Sequence, residues 1–293
     1  MLWKEITFTC QKSDVTSLED YMLELGACSV TFKDAKDTPI LEPSIGETPL
    51  WDHVQLTSLF TEEYDIRTLS TQIKQNANLK AIALETRTFA DEDWERTWMD
   101  NFHPIQFGPR LWVCPSWKEI PEPDAVNILL DPGLAFGTGT HETTALCLAW
   151  LDENIKGQES VIDYGCGSGI LAIAAKKLGA ASVCGIDIDP QAIIATRDNA
   201  EKNNILPATI QIYMADDQPA SLQSDIVVAN ILAGILTDLS EHITAKVKPH
   251  GKIVLSGILK DQVEAVLLHY SQTFDMSAPI YRNEWALLTG TKK

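Results

Sequence analysis

The stretch Val161-Ile-Asp-Tyr-Gly-Cys-Gly-Ser-Gly169, followed without a break by Ile170-Leu-Ala-Ile-Ala-Ala-Lys-Lys177, decides the fold of the longer, carboxyl-terminal part of this 293-residue chain. Val161 to Asp163 is short and apolar, as a buried strand is, and the residues after Gly169 have helical composition. Three glycines at alternate positions between them let backbone approach a ligand that a side chain would exclude, and the turn lies at the carboxyl end of its strand. A strand, a glycine turn and a helix in that order make one unit of a doubly wound α/β sheet, with a nucleotide-like ligand at the turn unless the glycines serve only as a plain turn.

Working outward, the pattern from about Phe102 onward is strands alternating with helices, as in a parallel sheet covered on both faces. The candidate strands are Val161 to Asp163, Ser182 to Asp187, Thr209 to Tyr213, Ile226 to Ala229 and Lys252 to Ser256; Ile170 to Leu178 and Pro190 to Asn203 read as helices. A dinucleotide turn, G-x-G-x-x-G, would need glycine at position 170, where Ile170 stands. Asp187 lies 22 positions after Gly165 at the end of the next strand, where a carboxylate can accept hydrogen bonds from both ribose hydroxyls. Asp189, just before Pro190, is more simply the N-cap of the helix that follows.

Two further elements carry chemistry. Asn230 ends the strand from Asp225 and places a polar side chain at the mouth of the cleft, unless it only closes a turn. Neither N-P-P-Y nor D-P-P-Y, the patterns suited to planar amide or base nitrogens, is present there, so an aliphatic amine acceptor fits better. Upstream, Leu130-Asp-Pro-Gly-Leu-Ala-Phe-Gly-Thr-Gly-Thr-His-Glu-Thr-Thr144 is dense in turn residues and hydroxyls. It has the composition of a lid, with Gly137 and Gly139 as flexible points and Thr140, Thr143 and Thr144 as donors. His141 is expected to order this loop or face the ligand rather than act as a base.

The first part of the chain has a different pattern. Strand-like Glu5 to Cys10, a helix over Val15 to Leu25, strands at Cys28 to Phe32 and Val54 to Phe60, a helix capped by Asp65 through Asn76, and a strand at Ala81 to Arg87 follow in order. Strand, helix, strand, strand, helix, strand is the order of a small ferredoxin-like α+β domain. It holds no evident chemistry, which leaves substrate recognition or a stabilising, dimerising appendage. Asp91 to Asp100, acidic in its first turn and with Trp94 and Trp98 four apart, reads as a connecting helix. The expected division is thus 1–88, a linker helix over 89–101, and 102–293.

Hydrophobic residues at 45% and charged residues at 22% describe a folded globular protein. The net charge of −18, from 41 acidic against 23 basic residues, disfavours a nucleic-acid backbone as partner and suits a basic one. The amino terminus leads into no apolar segment of signal or membrane-spanning length, so the cytoplasm is the expected location and no membrane contact is expected. Six scattered cysteines without a CxxC pair or neighbouring histidines predict buried, reduced thiols and no metal.

The G-x-G-x-G turn with an acidic residue two before its first glycine resembles the first motif of the class I S-adenosylmethionine-dependent methyltransferases. Taken with Gly185-Ile-Asp-Ile-Asp-Pro190, Val228-Ala-Asn-Ile-Leu-Ala-Gly234, Leu255-Ser-Gly-Ile-Leu259 and the loop before Thr144, essentially the whole chain resembles the bacterial methyltransferases of the eleventh large-subunit ribosomal protein. The resemblance implies a Rossmann-like methyltransferase domain behind a ferredoxin-like one, and S-adenosylmethionine as cofactor. It further implies a basic ribosomal protein substrate trimethylated on lysine ε-amines and on its amino-terminal α-amine; separately, a monomer is expected. By resemblance, donor-binding positions fall on Thr144, Gly165, Asp187 and Asn230; Gly167, Thr140 and Phe136 are further candidates beside them, and Asn230 is the candidate catalytic residue from its place at the cleft mouth. Where the family carries proline after the histidine, this chain has Glu142, which suits a helix start by its charge. The alternative from a different class is a nicotinamide-dependent oxidoreductase, which would also use a glycine turn and Asp187.

Overall fold

A computed structural model describes residues 2–36, 38, 40, 48–75, 84–90, 102–131 and 141–293. The chain divides into two compact units, Met1–Asn101 and Phe102–Lys293. In the first, β1 (Leu2–Gln11), α1 (Val15–Glu24), β2 (Ser29–Asp34), β3 (His53–Thr61), α2 (Ile66–Gln75) and β4 (Glu85–Ala90) follow in sequence. Their sheet is antiparallel in the order β2-β3-β1-β4. Period two puts Ile6, Phe8 and Cys10 of β1 and Val54, Leu56 and Phe60 of β3 on one face. Leu18 and Met22 of α1 and Leu69 and Ile73 of α2 pack into the same core. This is the ferredoxin-like arrangement the element order predicts. Asp65 caps α2 as expected, its carboxylate accepting the Thr68 N–H at 3.0 Å.

Three expectations for this unit change or fall elsewhere. The last strand is described as Glu85–Ala90, and residues 81–83 of the expected strand lie outside the described residues, as does Asn76. Cys28 is exposed, whereas the other five cysteines are buried, because it precedes β2 at the sheet margin instead of pointing into the core. The linker helix with Trp94 and Trp98 also lies outside the described residues.

The second unit opens with a small sheet that the sequence pattern did not reveal: β5 (Ile105–Gln106), β6 (Leu111–Cys114) and β7 (Val126–Leu129). Then come α3 (Glu142–Asn154), β8 (Ser160–Tyr164), α4 (Ile170–Lys177), β9 (Ser182–Asp187), α5 (Pro190–Lys202), β10 (Ile210–Met214), β11 (Ser224–Asn230), α6 (Ala233–Asp238), α7 (Ser240–Ala245), β12 (Val247–Leu259), α8 (Val263–Tyr270), β13 (Phe274–Met276), β14 (Ile280–Arg282) and β15 (Trp285–Lys292). The main sheet runs β10-β9-β8-β11-β12-β15-β13, parallel from β10 to β12 and antiparallel around β15.

Both faces of this sheet are covered, which is why its central strands read as continuous apolar runs. Val161, Val183, Ile226, Val228 and Val254 pack with α3 and α4 on one side. The intervening Ile162, Cys184, Ile186, Val227, Ile253 and Leu255 pack with α6, α7 and α8 on the other. Alternation along each strand thus assigns one residue to each core.

Candidate active site

β8 lies between β9 and β11, with Tyr164 in register with Ile186 on one side and with Ala229 on the other. The next residue of each strand is Gly165, Asp187 and Asn230, so the two ladders bring these three to adjacent carboxyl ends. The chain runs from β8 to β9 and β10 in one direction and returns to β11 and β12 in the other. A sheet that reverses its order in this way opens a crevice at the strand ends.

The glycine turn is held rigidly beside Asp187. The N–H groups of Gly165 and Cys166 both donate to the Ile186 carbonyl, at 2.8 and 3.0 Å, and Gly167 N–H donates to Asp187 Oδ2 at 2.9 Å. From α5, the Thr196 hydroxyl donates to the Gly167 carbonyl at 3.0 Å and Asn199 Nδ2 to the Ser168 carbonyl at 2.9 Å. Sequence reasoning missed Thr196 and Asn199. The available signal was two polar residues on the buried side of α5, among Ala192, Ile193 and Ala200. Within 165–169 only Gly165 and Gly167 are partly open, so a ligand reaching this turn meets their backbone.

Asp187 is half-buried, and its Oδ1 accepts the Asp189 N–H at 3.0 Å. With one protein donor on each oxygen, both keep acceptor capacity for a vicinal diol. Asp189 caps α5 instead, its Oδ1 accepting the Gln191 N–H at 2.8 Å. Ile188, between the two, is 79% exposed. An apolar face left open beside a diol acceptor is what a nucleoside base covers, so these residues fit S-adenosylmethionine, with Ile188 as a contact that sequence reasoning did not single out.

Asn230 Nδ2 donates to Thr144 Oγ1 at 3.2 Å, joining two residues far apart in the chain, and this commits the amide nitrogen while Oδ1 stays an acceptor. Thr144 is buried on the first turn of α3. His141 is the N-cap of that helix: its Nδ1 accepts the Thr143 N–H at 3.4 Å and lies 2.8 Å from the Thr143 hydroxyl. That use places the ring proton on Nε2, makes His141 the cap of α3, and occupies Thr143 with the cap rather than with ligand. Trp285 packs edge-on against the His141 ring at 4.9 Å between centroids. Phe136, Thr140, Gly137 and Gly139 lie outside the described residues.

Asp163, the acidic residue two before Gly165, faces inward. Its Oδ2 accepts the Ala172 N–H at 2.9 Å, which ties β8 to the first turns of α4, and Oδ1 is buried without a partner. Burial, with a smaller contribution from the Asp187 charge, pushes its pKa up to about 7. The Cys166 and Cys147 thiols are pushed well above their ordinary value by burial and by Asp163, and Cys184 to about 12 from the same causes. None of these three is a nucleophile at neutral pH. Among the described residues no group of three or more His, Cys, Asp or Glu side chains could hold a metal ion.

Residues 2–293 match the family described as Ribosomal protein L11 methyltransferase (PrmA). Ribosomal protein L11 methyltransferases from Shewanella sediminis and Aliivibrio fischeri are each 52% identical to the chain, over 294 and 295 residues and the full length of both partners. A solved structure of a ribosomal protein L11 methylase from Lactobacillus delbrueckii subsp. bulgaricus superposes with a TM-score of 0.58 at 34% identity, covering 66% of this chain and all of its own.

Two predictions follow from the site. Folded Asp163 keeps its proton to about pH 7, whereas a solvated carboxyl releases it near the ordinary 3.8, so the folded state binds more protons between those values and stability falls as pH rises across them. Asp163→Asn should flatten that slope in urea titrations between about pH 4 and pH 7; an unchanged slope would show that the carboxyl is not protonated. Glu142 Oε1 accepts Asn283 Nδ2 at 3.2 Å on the surface, and His141 already has the extended backbone, φ −73° and ψ 141°, that a following proline requires. Glu142→Pro should therefore cost about 1 kcal/mol at most and leave turnover within about twofold, and a collapse of activity would refute this.

Proposed function

The chain belongs to the ribosomal protein L11 methyltransferase family, and from that premise we propose that it methylates lysine ε-amines and the amino-terminal α-amine of ribosomal protein L11, up to the trimethyl state. S-adenosylmethionine supplies an already activated methyl group, so the protein's task is binding, alignment and exclusion of water. Membership in a methyltransferase family sets aside the nicotinamide-dependent alternative.

The observation that carries the reading is Asn230, tethered to Thr144 and side by side with the glycine turn and Asp187. Asp187 accepts from the ribose hydroxyls, Ile188 packs against the base, and the backbone at Gly165 and Gly167 receives the rest of the donor. Thr144 and Asn230 close the opposite side, and Phe136 and Thr140 are assigned to the donor as well. A lysine amine, with pKa near 10.4, attacks only when neutral, and deprotonation at pH 7 costs about 4 to 5 kcal/mol. Desolvation in the crevice offsets part of that cost, because burial disfavours the ammonium form. Asn230 Oδ1 and the backbone carbonyls after it accept hydrogen bonds from the neutral amine and aim its lone pair. No dedicated base is required, and His141, engaged at the helix cap, is not one.

The acidic chain, at −18, draws a basic protein substrate by long-range attraction. We assign residues 1–88 to substrate recognition and 89–101 to the link with the catalytic unit. The enzyme works as a monomer in the cytoplasm, without a nucleic-acid site of its own. Among the described residues no helix is long and apolar enough to cross a membrane.

Mass spectrometry of ribosomal protein L11 incubated with the enzyme and S-adenosylmethionine should show methyl increments on lysines and on the amino terminus. In single-turnover assays Asn230→Ala should slow transfer about a hundredfold, with a smaller loss of S-adenosylhomocysteine affinity. Full transfer by that variant would remove Asn230 from the mechanism, and an unmodified substrate with the native enzyme would overturn the proposed function.

A further inference from the structure

We infer that Ile231 is a positioning residue that sets the spacing between the methyl donor and the amine acceptor, because it is held between the donor turn and a bulge in β12. This rests on the methyl-transfer reading above. Ile231 follows Asn230 at the point where β11 leaves the sheet, and it is half-buried against the core.

Its side chain sits on Gly165. A Cβ added to that glycine, whose φ is +77°, would overlap Ile231 Cγ2, so the β-branch methyl occupies the space that a side chain on the donor turn would fill. Its main chain sits on Gly257. There, at φ +81°, an added Cβ would overlap the Ile231 carbonyl oxygen and lie 2.8 Å from its carbonyl carbon. Asn230 pairs with Ser256 in the β11–β12 ladder, and the β12–β15 register shifts between Leu255 and Ile258. The irregularity thus falls where β12 must pass close to Ile231.

One residue therefore touches the donor turn through Cγ2 and a neighbouring strand through its carbonyl, immediately after the side chain that would meet the amine. A β-branched side chain has few χ1 states, so the Cγ2 contact fixes a distance in a way an unbranched Cβ does not. Leucine has isoleucine's volume without that methyl. Valine keeps Cγ2 and loses only the terminal carbon.

The two substitutions separate gauging from filling. If Ile231 only fills space, Ile231→Leu should be the milder change and Ile231→Val the harsher one. If it sets the spacing, the order reverses: Ile231→Leu should lower kcat at least about tenfold with KM for S-adenosylmethionine changed less than about threefold, while Ile231→Val loses about twofold. Melting temperatures recorded alongside identify any loss that is only unfolding. Gly257→Ala should lower kcat likewise, whereas Gly179→Ala, also at positive φ (+105°) but with its nearest obstruction 3.7 Å away, should not. If Gly257→Ala does not fold, the Ile231 pair decides. With native activity present, equal kcat for Ile231→Leu and the native enzyme, or an equal fall in both Ile231 variants, would overturn the inference alone. A native enzyme that transfers no methyl group would overturn the reading beneath it as well.

Discussion

The hydrogen bond from Gly167 N–H to Asp187 Oδ2, 2.9 Å long, is the interaction on which the geometry of the crevice depends. It locks the glycine turn after β8 to the carboxyl end of β9 and orients the Asp187 carboxylate with its remaining lone pairs outward. The turn is built of glycine because Gly165, Gly167 and Gly169 all take positive φ, +77°, +53° and +79°, which a side chain disfavours. Thr196 and Asn199 complete it by taking the turn's carbonyls, so that α5 supports the turn it follows in space rather than in sequence. Preorganisation of this kind lowers the ordering cost for any ligand that meets the turn.

Among the described residues, the interior beneath the turn is mainly apolar and includes the Asp163 carboxyl. Asp163 costs stability when ionised, yet it anchors β8 to α4 through Ala172. A carboxyl protonated up to about pH 7 serves that tether with less desolvation penalty than a charge would carry. The surrounding cysteines follow the same logic, packing as small apolar groups in a place where a thiolate is disfavoured. The Asp187 carboxylate, by contrast, is half-buried at the rim of the crevice.

Amine methylation places modest chemical demands on such a site. The reacting nitrogen must lose its proton and its water, and then point in one direction. In the reading proposed above, the neutral amide of Asn230, joined through its nitrogen to Thr144, would do this without the charge that would hold lysine in its ammonium form. Aspartate at position 230 would favour that cationic form.

Much of this was legible in the sequence. The strand, glycine turn and helix from Val161 to Lys177, the acidic end of β9, the N-cap at Asp189 and the six-element order of the first unit all follow from period and turn chemistry, which act between near neighbours. The doubly wound class follows from them. Only the tertiary structure brought Thr144 to Asn230, seated Ile231 between Gly165 and Gly257, linked Glu142 to Asn283, and added the small sheet of β5 to β7. Those contacts join residues up to 141 positions apart, and no local pattern encodes them. They are decided by which faces pack together once the sheet has formed, and a side chain's partners across a sheet are a property of that packing rather than of its own neighbours in the chain.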